Sequence, residues 1–148
     1  EKAVELGIAA CQPLQTERSV VRLQGDRAAR REAHWLALAR AACEQCGRTH
    51  LPELAAPQAM DRWLAALGDA PALRLALLPE GDVTLRQFPQ IDNGAILAVG
   101  PEGGFTANDV ALLTQTGFHG LRLGPRILRT ETAGLAPLSA LQARFGDF

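Results

Sequence analysis

The sequence predicts an α/β domain, a parallel sheet flanked by helices, and three observations carry that prediction. Apolar runs of strand length alternate with helix-length stretches along the 148 residues, the order that builds a parallel sheet with right-handed crossovers. Two of these runs, residues 95–99 and 120–123, lead into glycine-rich loops. The loops read Val99-Gly100-Pro101-Glu102-Gly103-Gly104-Phe105-Thr106 and Leu123-Gly124-Pro125-Arg126-Ile127-Leu128-Arg129-Thr130-Glu131-Thr132-Ala133. Open α/β sheets hold ligands at the carboxyl ends of their strands, so two such loops in succession predict one shared pocket.

The elements follow in order. Glu1-Lys2-Ala3-Val4-Glu5-Leu6 reads as a helix already under way, closed by Gly7, and predicts a domain cut from a longer protein. Residues 8–14 form the first strand, and a loop-like section runs from Glu17 to Asp26. From Arg27 to Cys46 the apolar residues Trp35, Leu38, Ala39, Ala42 and Cys46 recur at helical spacing, with Gly47 as the stop. Residues 51–55 make a short strand, and Pro57 opens a second helix with Met60, Trp63, Leu64 and Leu67 on one face. Residues 73–78 are a third strand, ended by Pro79-Glu80-Gly81, with a short helix or turn around 83–88. Asp92-Asn93-Gly94 is a turn signal. The run 95–99 is almost wholly apolar, as a strand covered on both faces should be. Thr106-Ala107-Asn108-Asp109 fits a capping box, and Gly117 ends that helix. The last helix spans 130–145 and contains Pro137, which should kink it or mark a restart.

Composition bounds the function. With 47% hydrophobic residues the chain can build a core, and no run approaches the roughly 20 apolar residues of a membrane span. The net charge of −1 argues against a strongly basic nucleic-acid surface. Its distribution is uneven: residues 1–50 hold eight basic and six acidic side chains, residues 51–104 three and seven. Nearly all the cations are arginine, whose planar fork suits phosphate and base edges. Three cysteines are an odd set for a disulfide scaffold and point to a reducing cytoplasm. Cys43-Glu44-Gln45-Cys46 matches CxxC but ends a helix, where the dipole opposes a thiolate. Zinc would need about four ligands, with only His50 and the remote Cys11 to add. No metal site is expected.

The loops carry the chemistry. Gly103-Gly104 has no Cβ to keep a ligand from the backbone, although a tight turn feeding a capped helix has the same sequence. The spacing is neither GxGxxG nor that of a P-loop. Arg126, Arg129 and Glu131 lie within six residues beside the last helix. A surface ion-pair row would look similar, but their place after a strand end favours an enzyme site.

These residues resemble the signature of the knotted, SPOUT-class RNA methyltransferases, and most nearly the bacterial 16S ribosomal RNA uridine-N3 methyltransferase family of the small-subunit methyltransferase E type. Lys2-Ala3-Val4-Glu5-Leu6-Gly7, Glu17-Arg18-Ser19-Val20-Val21 and Glu44-Gln45-Cys46-Gly47-Arg48-Thr49 resemble further motifs of that family, in the same order along the chain. Cys46 and Asn108-Asp109 depart from its pattern. The resemblance implies a C-terminal trefoil knot that binds S-adenosyl-L-methionine, largely through backbone groups. The cofactor-binding residues would be Leu78, Pro79, Glu80 and Gly81, then Val99, Gly100, Pro101, Glu102, Gly103 and Gly104, then Leu123, Gly124, Arg126, Ile127 and Leu128. It further implies Arg129 and Glu131 as the catalytic pair at the uracil base, with Glu131 orienting and Arg129 stabilising charge. Arg18, Arg22, Arg48 and Arg126 become candidates for RNA contact, against ordinary solvated arginines as the alternative. Residues 1–148 would be the methyltransferase domain of a cytoplasmic homodimer acting on 16S rRNA of the small ribosomal subunit, without the family's N-terminal PUA-like RNA-binding barrel. Another knotted methyltransferase with a ribose 2′-hydroxyl or guanosine target, or a non-catalytic RNA-binding module of the same fold, are the competing readings.

Overall fold

In the computed structural model, which describes residues 1–19, 25–68 and 72–148, every strand pair is parallel. The chain begins with α1 (Lys2–Glu5), which stops at Gly7 with φ +83°. Two side chains from distant elements pin this turn: Arg48 donates to the carbonyls of Val4 and Ile8 at 2.8 and 3.0 Å, and Gln142 Nε2 donates to that of Leu6 at 2.9 Å.

The first strand is shorter than predicted. Residues 8–14 resolve into two fragments, β1 (Ala10–Cys11) and β2 (Leu14–Gln15), which pair with β3 (Glu53–Leu54) and β4 (Gln58–Ala59) respectively. Pro13 and Pro57 explain the break, since neither has an N–H to give the ladder. The Gln12 amide fills the gap by donating to the carbonyls of Pro13 and Ala56 at 2.9 and 2.8 Å, while its oxygen accepts from Gln58 Nε2 at 2.8 Å. Because residues 58–59 are held in β4, the second helix does not open at Pro57; α3 runs Met60–Ala66. The chain between β2 and β3 carries α2 (Gly25–Cys46), which closes at Gly47, φ +77°.

A three-stranded sheet carries the second half. β5 (Leu73–Leu77) is central, flanked by β6 (Ala95–Ala98) and β7 (His119–Leu121). Leu75 pairs with both Leu97 and His119, and Leu75 and Leu121 are fully buried. The apolar β6 is an edge strand among the described residues, exposed at Ala95 and buried only at Ala98, not covered on both faces. Its apolar character therefore exceeds what this chain's own burial requires. Met60, Leu64, Ala76, Ala98, Leu113 and Phe118 form the core between sheet and helices, with Trp63 and Phe118 rings 6.0 Å apart.

The connections match the turn chemistry. Leu85–Gln87 is a 3₁₀ turn with a Thr84–Gln87 capping box. Thr106 Oγ1 accepts from the Asp109 amide at 3.1 Å and the Asp109 carboxylate accepts from the Thr106 amide at 2.9 Å, starting α4 (Ala107–Gln115). α5 (Thr130–Phe145) runs through Pro137 without a break. The missing hydrogen bond is offset by burial of the ring, which is among the most enclosed side chains in the molecule.

Candidate active site

Three loops leave the carboxyl ends of β5, β6 and β7 side by side, and a cavity of about 310 Å³ opens between them. That lies within the usual range for small-molecule sites. The first loop contributes Leu78 and Pro79 to the wall. The second contributes Val99, Gly100, Pro101, Glu102 and Gly104, and the third Leu123, Gly124, Arg126, Ile127 and Leu128. Sequence reasoning missed Leu77, Phe105, Arg122, Thr130 and Ala133, which also line it. A motif names consecutive residues, whereas wall membership depends on which way each residue faces. The helical spacing of Thr130 and Ala133 at the start of α5 was the one signal available for those two.

Three of the predicted cofactor residues stand apart from the cavity wall. Gly81 is buried where its segment crosses β7: a Cβ there would run into the Gly120 carbonyl, and Val83 pairs with Leu121 just beyond. Its smallness serves backbone packing. Glu80 is exposed beside it. Gly103 turns its carbonyl outward, where Arg18 Nη1 donates to it at 2.6 Å. Pro101 O accepts from the Gly104 amide at 2.8 Å, closing a tight turn that puts Gly104 at φ +70°, a conformation side-chain-bearing residues rarely adopt.

The four arginines proposed for RNA contact separate. Arg126 is exposed on the cavity rim with Arg122 and Glu102. Arg18 is exposed but engaged with the Gly103 carbonyl. Arg48 is half-buried and clamps the end of α1, a structural task that the motif match did not reveal. Arg22 lies outside the described residues.

Arg129 is the residue preceding α5 and Glu131 sits in its first turn, both exposed and flanking the cavity residues Leu128 and Thr130. Neither makes a side-chain hydrogen bond or ion pair among the described residues, so both heads are available to a ligand. Among the described residues no group of three or more His, Cys, Asp or Glu is placed to hold a metal ion. All three thiols are free; Cys43 is buried, with its Sγ 3.7 Å from the His50 carbonyl. No helix of the described residues is long and apolar enough to cross a membrane.

Fold and cavity together define a parallel α/β domain with a loop-built ligand pocket. The chain belongs to the RNA methyltransferase domain family, whose model matches residues 1–142. Among its relatives, the ribosomal RNA small subunit methyltransferase E of Buchnera aphidicola from Schizaphis graminum is 34% identical over 99% of this chain. The Bacillus subtilis protein of the same name is 33% identical over 95%. The chain spans 59% and 58% of the lengths of these two relatives. Among solved structures, a Legionella pneumophila methyltransferase in complex with bound SAM superposes with a TM-score of 0.92 at 42% identity, covering 99% of this chain and 60% of that one. The Neisseria gonorrhoeae ribosomal RNA small subunit methyltransferase E bound to S-adenosyl methionine gives 0.90 at 37% identity, covering 96% and 58%.

Proposed function

We propose that this domain methylates N3 of a uridine in 16S ribosomal RNA of the small subunit, with S-adenosyl-L-methionine as methyl donor, in the cytoplasm. One observation carries the reading: three strand-end loops enclose a cavity in a fold that superposes on two structures holding S-adenosylmethionine, at TM-scores of 0.92 and 0.90. The cavity fits that molecule in chemical character. Leu78, Val99, Ile127 and Leu128 supply apolar wall for a purine ring, and the Gly100–Gly104 turn brings backbone to its surface. When bound, the donor supplies a methyl group on a positively charged sulfur.

The residues at the rim do the rest. Neutral uridine carries a proton on N3, so the nitrogen becomes a competent nucleophile only as that proton leaves and negative charge spreads to the flanking carbonyl oxygens. The N3 proton passes to bulk water at the exposed rim, while Glu131 orients the uracil ring and the Arg129 guanidinium stabilises the developing charge. N3 then bonds to the methyl carbon while the carbon–sulfur bond breaks, its electron pair returning to sulfur. Exposure of Arg126 and Arg122 on the same rim supports a role for both in phosphate or base contact.

Two structural features belong to the same proposal. The last segment passes through a loop as a trefoil knot; the tight Gly81–Gly120 crossing and the contacts of Gln142 with Leu6 and Arg144 with the Phe88 carbonyl support that path. The working unit is a homodimer; α5 has no continuous polar face, and Ile127 is 85% exposed at the pocket.

The test is methyl transfer to small ribosomal subunits lacking the modification. An N3-methyl blocks the base-pairing edge, so reverse transcription should stop at one uridine. Label without a stop would indicate a ribose target, and no label would indicate a binding module. Arg129→Ala should lower kcat about 100-fold or more while the cofactor Kd changes less than about threefold.

A further inference from the structure

We propose that the exposed face of α2 carrying Arg27, Arg30, Arg31 and His34 is a second contact for the phosphate backbone of the substrate RNA, outside the cofactor pocket. The inference rests on the RNA methyltransferase reading and adds a surface that none of the motifs contains.

These residues stand at i, i+3, i+4 and i+7, so they form one ridge along about 10 Å of helix. All four are exposed, and the first buried residue of α2 is Ala39. The half-buried Ala28, Glu32 and Trp35 continue the Ala39 stripe instead, which turns the arginine ridge away from the body. None of the four makes a hydrogen bond or ion pair among the described residues, and Asp26, one turn before Arg30, does not pair with it. Arg31 lies 5.9 Å from the centre of the Trp35 ring, which holds its guanidinium in place.

Such a ridge is unfavourable for the free helix. Arg27 and Arg31 are like charges at i, i+4, and cations in the opening turns oppose the helix dipole. A row of phosphates removes both penalties. The position also suits an RNA held at the pocket. Arg18, in the Thr16–Ser19 turn, touches the Gly103 carbonyl of the pocket loop. α2 begins six residues beyond Ser19, a reach of at most about 20 Å. The ridge therefore lies within two turns of duplex or less of the cavity rim, and its charge is opposite to that of the substrate.

The experiment compares the protein with its Arg27→Gln/Arg30→Gln/Arg31→Gln variant in binding to unmodified small ribosomal subunits across 50 to 200 mM salt. Glutamine keeps helix propensity, and the three sites are exposed, so the melting temperature should hold. The expected result is a slope of log affinity on log salt shallower by about 2, with affinity at least about tenfold weaker at 150 mM. S-adenosylmethionine binding should stay within twofold. Arg40→Gln, exposed on the same helix but off the ridge, should change neither quantity. Single Arg27→Gln and Arg30→Gln variants should fall between, which keeps the test readable if the triple variant is unstable. Unchanged RNA affinity and slope, an equal loss from Arg40→Gln, or a ridge-dependent affinity confined to an acidic polypeptide such as polyglutamate would overturn the proposal. Because the readout is binding, a failure of wild-type methyl transfer would count against the uridine reading alone.

Discussion

The two halves of this chain use the same residue types for different ends. In residues 72–148 three strands run in parallel through one core, and their loops converge on a cavity. Among the described residues of 1–68 the strands are two residues long, held together where prolines interrupt them by the side chains of Gln12 and Gln58. The contrast is sharpest for arginine. Arg126 faces the cavity, Arg48 is committed to two carbonyls of α1, Arg18 to a pocket-loop carbonyl, and Arg27 and Arg30 to nothing within the described chain. An arginine in a motif therefore has a role set by the acceptors around it, and only the fold reveals them.

That contrast can be broken most severely at Gly81. Alanine there meets the Gly120 carbonyl, with no flexible side chain to yield, so Gly81→Ala should cost about 3 kcal/mol or more, or prevent folding. Urea denaturation gives the answer; a loss below about 0.5 kcal/mol would mean that the crossing relaxes freely. Arg48→Ala should come next, losing about 2 kcal/mol as two charge-assisted hydrogen bonds vanish, with RNA affinity unaltered once folding is accounted for. Weakened RNA binding in a fully stable Arg48→Ala protein would return this residue to the interface. Smaller still is Arg18→Ala. Loss of its bond to Gly103 should loosen the pocket loop and raise the cofactor Kd about tenfold, equivalent to about 1.4 kcal/mol. A shallower salt dependence of RNA binding with the cofactor Kd intact would show instead that Arg18 reads phosphate.

The second half was the more legible because its signals are local. The Thr106–Asp109 capping box and the last helix, Thr130–Phe145, stand where the sequence placed them; β6 ends at Ala98, one residue before the predicted end, and β7 stops at Leu121, two residues short of the predicted Leu123. Backbone conformation is what these motifs encode, and backbone conformation positions the pocket. Harder to see were features that depend on chain crossing. Gly81 reads as part of a ligand loop until β7 is laid against it, and Gly103 until Arg18 arrives from 85 residues away. Likewise Pro137 reads as a break, although tertiary burial of its ring keeps α5 continuous. In the first half the strand pattern was visible, but proline removed the donors that would have joined its fragments.

On the proposed function the three strand-end loops form a site for S-adenosylmethionine. A calorimetric titration of the protein with that molecule, with ATP as control, tests it most directly. Saturable, near one-to-one binding per chain with no heat from ATP is the expected result. Binding of ATP with S-adenosylmethionine silent would contradict it, and would make the pocket a nucleotide site.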